Sequence, residues 1–498
     1  MTNTADSTRS VNAPAAVIIL AAGQGTRMKS AKPKVLHEIG GKSLLGFAMT
    51  AAEYLDPGRI VVVVRHDRDQ VAAHAESLNP RVLIADQDEI TGTGRATQLA
   101  LAALDSAAGT PITGTVVIMA SDVPLLDGAT LAELVRARDE SGAAIALLST
   151  IVPDPAGYGR VVRGPDGGVA AIVEQKDATE AQRAITEINT SVYAVDAGVL
   201  REGLATLQPS GVSGELYLTD VVEHAVAAGL PVTALIVDDP ATVEGCNDRV
   251  QLAALGAELN RRIVTEWMYD GVTVIDPATT WIDVDVELSP DVTLYPGVHL
   301  RGTTTVASGA VVGPDSTLTN MLIGERASVV RSHGFDTEIG PDADVGPFTF
   351  LRPGTVLGAH GKIGAYCEVK NAQIGDHTKV PHLSYVGDAV IGTGTNIGAA
   401  TIFANYDGVH KHHTEVGNEV RVGSDTIIVA PVVIGDGAYT AAGSVITEDV
   451  PAGALGVGRG RQHNSAGWTE RNRAGSPAAE AAAAAAVGTG AAAPPNKG

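Results

Sequence analysis

Gly23, Gly25, Arg27, Lys32 and Lys34 crowd into LAAGQGTRMKSAKPKVL, a stretch beginning at Leu20 directly behind the apolar run Ala16-Val17-Ile18-Ile19. Glycines at this spacing let successive backbone N–H groups turn toward an anion, while the arginine and lysine supply mobile positive charge. The loop fits neither of two familiar phosphate-binding patterns. A P-loop would close on Gly-Lys-Ser/Thr, but Lys29 follows a methionine; a dinucleotide fingerprint needs glycine where Met28 stands. Asp122, in Ser121-Asp122 behind the apolar TVVIMA, is the first oxygen ligand to expect for Mg²⁺, which takes few protein oxygens and fills its shell with phosphate and water. These residue types suit chemistry on bound phosphate groups, where anions must meet and charge neutralisation and alignment dominate the barrier.

A second constellation lies far downstream. Lys370, His382 and Tyr385 fall close together in GAYCEVKNAQIGDHTKVPHLSYVGDAVIG, with Arg352 a little earlier. Two cations can clamp a phosphate, and an imidazole with its ordinary pKa near 6.5 is a natural general base at neutral pH. His410, His412 and His413 also cluster, but no cysteine or carboxylate completes a convincing metal set around them.

Two kinds of scaffold must hold these groups. Up to about Asp248, short β-branched runs (VIIL, IVVVV, VLIA, TVVIMA, AIALLST) alternate with helical segments such as TLAELVRARDE. That alternation predicts a Rossmann-like α/β domain over 15–249 with a mostly parallel sheet. In such sheets ligands sit beyond the carboxyl ends of the strands, where the glycine loop and Asp122 both fall. Leu252, Leu255, Leu259, Ile263 and Trp267 are spaced three or four apart and predict an amphipathic linker helix over 250–270.

Beyond it the period becomes six. Ile339, Val345, Leu351, Leu357, Ile363 and Val369 keep this step, and Val422, Ile428, Ile434, Thr440 and Ile446 resume it. A hexapeptide repeat marks a parallel β-helix, here expected over 271–470. Each hexapeptide forms one side of a triangular coil and points its aliphatic residue inward. So narrow a prism has little room for rings, which explains an aromatic content of only 4%. Three sides make a coil of about eighteen residues, so Arg352 and Lys370 stack on one edge. The polar stretch between about Phe403 and Arg421 interrupts the repeat and reads as an extruded loop of the kind that carries binding residues. Residues 1–14 and the alanine-rich 471–498 read as disordered extensions.

With 498 residues, 45% of them hydrophobic and a formal net charge of −22, the chain reads as folded and multidomain, and a nucleic-acid surface is excluded for want of a basic stripe. No stretch is long and apolar enough to span a membrane, and the polar N-terminus lacks a signal core. Two cysteines, Cys246 and Cys367, far apart in sequence, read as reduced thiols. A cytoplasmic location is expected.

The glycine loop through Lys32-Pro33-Lys34 resembles the signature of sugar-1-phosphate nucleotidyltransferases, and Gln87 with Gly92-Thr93-Gly94 is similar to that family's base-recognition segment. The resemblance implies UTP and UDP-N-acetylglucosamine contacts at Leu20, Ala21, Ala22, Gly23, Lys34, Gln87, Gly92, Thr93, Asp122, Gly159, Glu174, Asn189 and Asn247. It implies catalysis by Arg27 and Lys34, with Mg²⁺ held by Asp122 and Asn247. The hexapeptide prism resembles left-handed β-helix acyltransferases that use acyl-CoA. An amine attacks a thioester only when neutral and must lose a proton, a task for His382.

Together the halves resemble the bacterial family of bifunctional glucosamine-1-phosphate N-acetyltransferases/N-acetylglucosamine-1-phosphate uridyltransferases, over roughly residues 15–470. That family implies acetyl transfer from acetyl-CoA to glucosamine 1-phosphate, then transfer of the uridylyl group of UTP to N-acetylglucosamine 1-phosphate with release of pyrophosphate. It also implies acceptor contacts at Arg352, Lys370, Tyr385 and Asn396. Acetyl-CoA contacts are implied at Ala399, Asn405, Tyr406, Ser424, Ala442 and Arg459, as is a homotrimer with its sites in clefts between subunits.

Overall fold

A computed structural model describes residues 13–488, so the expectations for residues 1–12 and 489–498 lie outside the described chain. Near the N-terminus seven strands form a sheet in the order Val232–Ile236, Ile145–Ile151, Glu187–Asp196, Thr115–Ala120, Ala16–Leu20, Ile60–Val64, Leu83–Asp86, and the hairpin Arg160–Arg163/Val169–Val173 joins its side. Only Glu187–Asp196 runs against its neighbours on this path; the other pairings are parallel. Both faces are apolar because both are covered. Val17 and Ile19 enter one core and Ala16 and Ile18 the other, the two-residue alternation of a strand feeding two helix layers.

The linker helix, Arg249–Tyr269, is capped by Asp248, whose Oδ1 accepts from the N–H groups of Val250 and Gln251, both at 2.9 Å. Its apolar stripe serves two masters. Leu252, Leu255 and Leu259 pack with Ile39, Leu44 and Leu125 of the sheet domain, and Ile263, Val264 and Trp267 close the end of the second domain's core. Asn260 is buried and fully used, donating to the Thr280 carbonyl at 2.8 Å and accepting from the Ile282 N–H at 3.0 Å.

The second domain is the expected triangular prism of parallel strands. An 11-stranded sheet, from Thr273–Val274 to Leu455–Gly456, forms one face. A 15-stranded sheet bends round an edge to form the other two. All eleven hexapeptide positions named above are buried, and Phe403 is the one phenylalanine in the core they build. The edges demand left-handed backbone. Asp315, Arg331, Phe348, Tyr366, Leu383, Ala400 and Asp425, on one edge, have φ between 45° and 59°, a conformation that side chains resist and that the ladders on either side enforce.

Two expectations are corrected. The interruption is narrower than 403–421, because Phe403, Val416 and Val420 stay in the core and only the segment 405–413 leaves the prism. The alanine-rich tail is not featureless: helices span Trp468–Asn472 and Pro477–Gly488. Local signals explain the second. Ser476 accepts from the Ala479 N–H (3.2 Å to Oγ), Pro477 supplies a pre-set first residue, and alanine is the best helix former.

Candidate functional site

The strands Ala16–Leu20, Ile60–Val64, Leu83–Asp86 and Thr115–Ala120 all deliver their carboxyl ends to one rim, which frames a cavity of about 510 Å³. Leu20, Ala22, Gly23, Lys34, Gln87, Gly92, Thr93 and Asp122 line it. Ala21 does not; its side chain is buried and its N–H is spent on the Val63 carbonyl at 2.9 Å. No α-helix follows the glycine loop. A single 3₁₀ turn, Thr26–Met28, stands there instead, and Arg27 on it is exposed and outside the cavity lining. Gly25 takes φ 62°, and a Cβ there would meet the Lys34 Cβ at 2.5 Å. Gly25→Ala is therefore expected to displace Lys34 and lower uridylyl transfer roughly tenfold or more, read as kcat/KM for UTP, with the prism's activity unchanged.

Lys34 organises the rim. Its Nζ donates to Asp122 Oδ2 and lies 3.4 Å from Asn247 Oδ1, so the two oxygens expected to share a cation do converge on one positive charge. Backbone pairing accounts for this meeting across 125 residues: the Cys246 N–H donates to the Asp122 carbonyl at 2.8 Å. Arg249 Nε, on the first turn of the linker helix, donates to the Met28 carbonyl at 3.1 Å and ties the glycine loop to the same corner. One carboxylate and one amide oxygen, open to a cavity, fit a hard divalent ion that keeps most of its shell for phosphate and water. Among the described residues no cluster of three or more His, Cys, Asp or Glu side chains could hold a metal. Cys246 is buried in the same corner, and that burial, ahead of the nearby Asp122 charge, pushes its thiol up to about 11.

A smaller chamber of about 230 Å³ opens beside the first and shares Leu20, Thr93, Ser191 and Glu215 with it. Glu174 lines this chamber, and Gly159 and Asn189 stand against it. A Cβ on Gly159 would lie 3.5 Å from Glu174 Oε2 and 3.6 Å from the Asn189 Cβ. Asn189 donates to the Tyr193 hydroxyl at 2.7 Å, and a bulge that puts Ser191 at φ 61° turns the strand at the chamber wall. Burial raises the Glu174 carboxyl above its usual range despite the Thr219 hydroxyl at 3.4 Å. Its charged form therefore costs folding energy above the folded-state pKa, a cost that fades as pH falls and the group protonates. Glu174→Gln is expected to melt no lower than the parent at pH 7.5, to lose that advantage near about pH 4, and to raise the sugar-phosphate KM about tenfold.

The prism carries the second site. Leu351 pairs with Val369 and the Arg352 N–H donates to the Val369 carbonyl at 2.9 Å, which stacks Arg352 and Lys370 one coil apart as the spacing required. Tyr385 follows on the next coil, in register with Glu368, and Glu368 pairs with Arg352 at 2.7 Å. His382 is exposed at the end of the neighbouring face, and its imidazole has no hydrogen-bond partner among the described residues. Below it runs a column of small residues on one edge: Ala400 N–H bonds the His382 carbonyl, Asp425 N–H the Ala399 carbonyl, and Gly443 N–H the Ser424 carbonyl. Ala442 continues it and Arg459 is exposed beyond the last coil.

One chain does not gather every expected residue. Asn396 stands on the face of Lys379 and Arg421, away from the Arg352–Lys370–Tyr385 face. Asn405 and Tyr406 belong to the extruded loop on the opposite edge from the small-residue column.

Several site residues escaped the sequence reading. Arg65, His66, Ser191 and Glu215 line the main cavity; Arg65-His66 directly follow the IVVVV run, so the strand-end rule could have flagged them. Lys411, from the extruded loop, stands close enough to Lys370 to pull the Lys370 ammonium below its ordinary value. His412 is held by Asp407 at 2.7 Å and is a loop staple, not a ligand.

A mostly parallel open sheet with a glycine loop, Lys34 and Asp122 at its rim, joined to a parallel β-helix with a cation-and-imidazole edge, defines a nucleotidyltransferase fused to a hexapeptide acyltransferase. Comparison with known proteins agrees. The family described as "MobA-like NTP transferase domain" matches residues 17–182, and "GMPPB C-terminal domain" matches 335–435. "Bifunctional protein GlmU" of Pseudarthrobacter chlorophenolicus is 56% identical over 472 residues, 95% of this chain and 96% of that protein. The proteins of the same name from Corynebacterium jeikeium and Rhodococcus opacus are each 56% identical, covering 95% and 94% of this chain and 96% and 95% of theirs. The chain belongs to the GlmU family of bifunctional proteins, and the prism is a left-handed β-helix. It is a transferase of UDP-N-acetylglucosamine synthesis with uridyltransferase and acetyltransferase activities, acting on nucleotide and sugar-phosphate substrates.

Proposed function

We propose that the prism acetylates glucosamine 1-phosphate with acetyl-CoA as donor and that the sheet domain then joins N-acetylglucosamine 1-phosphate to UTP. At the prism, Arg352 and Lys370 grip the acceptor's phosphate while Tyr385 orients the sugar. His382 takes the proton of the attacking amine as its nitrogen bonds the thioester carbon. The carbon–sulfur bond breaks, and the coenzyme thiolate receives the proton. The small-residue column Ala399–Ser424–Ala442 leaves a groove for the acyl carrier, with Arg459 at its far end for phosphate. Its position directly under His382 supports this direction of binding.

At the sheet rim, the sugar phosphate oxygen attacks the α-phosphorus of UTP and the bond to the β-phosphate breaks, releasing pyrophosphate. Arg27 and Lys34 offset the charge that builds on the triphosphate. Gln87, whose amide is braced by the Ile90 and Gly92 carbonyls at 3.0 and 3.2 Å, meets the base. Glu174, Gly159 and Asn189 receive the sugar in the smaller chamber. Mg²⁺, held by Asp122 and Asn247, would supply Lewis-acid neutralisation of the phosphates. The single observation that carries this half is the convergence of Asp122, Asn247 and Lys34 at the cavity.

Homotrimeric assembly accounts for the division of the acetyl-transfer residues between faces of one prism. Ile402, Ile427 and Val445, outward-facing and partly exposed in one line below Tyr385, supply an apolar surface for a second copy. Among the described residues no helix is long and apolar enough to cross a membrane, in keeping with cytoplasmic work. The test is to supply acetyl-CoA, glucosamine 1-phosphate, UTP and Mg²⁺ together and to omit each in turn. UDP-N-acetylglucosamine should form only from the complete mixture, and sedimentation should give three times the chain mass of 50.8 kDa. Product without acetyl-CoA, or a monomer with full acetyl transfer, would contradict the reading.

A further inference from the structure

Asp388 has no place in the assignments above, yet it sits where the prism site and the extruded loop join. It occupies an edge position at φ 51°, and its residue is only 8% exposed. Asn371, one coil above, donates to Oδ1 at 2.7 Å; Asn405, at the root of the loop, donates to Oδ2 at 2.5 Å. The same Asn405 nitrogen lies 3.4 Å from the Tyr385 hydroxyl. The charged groups around the carboxylate are Lys370 from its own sheet and Lys411 from the loop, with Arg352 beside Lys370.

We propose that Asp388 is a positioning residue for acetyl transfer: its buried carboxylate fixes Asn405 and the loop, and keeps Lys370 and Lys411 together as a charged pair for the acceptor's phosphate. The proposal rests on the reading of Arg352 and Lys370 as the phosphate clamp. Burial pushes the Asp388 carboxyl up, but the bonds from Asn371 and Asn405 and the two lysine charges outweigh it and hold it below the usual range, ionised at neutral pH. Lys370 is pulled below its ordinary value, first by Lys411 and then by burial, and Asp388 opposes that pull. Two ammonium groups left face to face without the carboxylate would part, or one would lose its proton. The edge itself does not need the charge, since Asn320 and Asn371 hold equivalent positions at φ 51° and 44°. Asp336 shares the edge at φ 50°, bonded by Asn320 at 3.0 Å, but it is exposed and away from the lysines.

The experiment uses the full chain. Asp388→Asn keeps the shape and tolerates the left-handed backbone. Asp336→Asn is the control for a general edge effect, Arg352→Ala tests the clamp itself, and Asp388→Asn/Lys411→Gln tests the charge argument. Acetyl-transfer kcat and the glucosamine 1-phosphate KM are followed from about pH 6 to 10, with uridylyl transfer as a check on chain integrity. Asp388→Asn should raise the acceptor KM about tenfold with kcat within about threefold, and should move the alkaline limb of kcat/KM about one pH unit lower. The double variant should return that limb, and Asp336→Asn should change nothing. An unchanged KM and limb in Asp388→Asn, with Arg352→Ala impaired, overturns the role of Asp388 and leaves the clamp standing. Silence from Arg352→Ala as well overturns the clamp. Loss of uridylyl transfer in step with acetyl transfer would make Asp388 a merely structural residue and also overturn the proposal.

Discussion

His382→Ala should lower acetyl transfer by about 10²- to 10⁴-fold, the range that removal of a general base commonly costs, while uridylyl transfer stays within about twofold of the parent. The separation follows from the architecture. His382 lies on the prism, whereas the cavity lined by Lys34 and Asp122 belongs to the sheet domain across the linker helix. The fold should not suffer, because His382 is exposed and its hydrogen bonds run through its carbonyl, which accepts from the Ala400 N–H of the next coil at 3.1 Å and from the nearby Ser384 hydroxyl at 2.8 Å. Alanine keeps both. Release of free thiol from acetyl-CoA measures the first activity and pyrophosphate release the second. The acceptor KM should hardly move, since His382 acts on the proton rather than on the phosphate. Undiminished thiol release would remove His382 from the mechanism and pass the proton to another group of the prism.

The legible parts of the molecule were those whose signals are local or periodic. The hexapeptide step located the prism because inward residues every six positions are a necessity of a three-sided coil, and the same step stacked Arg352 on Lys370. The glycine loop and Asp122 were placed on one rim because parallel strands must share a carboxyl end. What escaped depended on how chains fold back. Lys411 reaches Lys370 only through the hairpin of the extruded loop, where Tyr406 bridges Lys411 and Asp407 is bonded by His412, His410 and Val409. Arg65 and Glu215 meet in one cavity from segments 150 residues apart, a distance that no spacing rule spans. Glycine-rich loops often precede helices, and a helix start read from this one would be an error. Here Lys29, at φ 47°, turns the chain after three residues. The tail helix shows the opposite error, composition read as disorder although Ser476, Pro477 and the alanines each favour a helix.

Asp122→Asn should cost uridylyl transfer about 10²- to 10³-fold, the scale at which loss of a group that organises transition-state charge is felt, and acetyl transfer should be untouched. The amide is nearly the carboxylate's shape and still offers Lys34 an oxygen, so the rim should stay assembled. The backbone bond from the Cys246 N–H to the Asp122 carbonyl, which brings Asn247 into place, does not depend on the side chain. What disappears is the only carboxylate of the pair Asp122–Asn247. A divalent ion would then meet two neutral oxygens beside an ammonium, an arrangement that Coulomb's law disfavours. The variant should need much more Mg²⁺ for half-maximal rate, and chelation of the parent's metal should reproduce its defect: pyrophosphate release stops and thiol release from acetyl-CoA continues. Lys34→Ala separates the two charges of this rim. It should weaken UTP binding and turnover while leaving the Mg²⁺ requirement near the parent's, because it deletes a phosphate partner and not an ion ligand. An Asp122→Asn enzyme with the parent's metal dependence would place the divalent ion elsewhere, and Lys34 would then be the charge that Asp122 exists to hold.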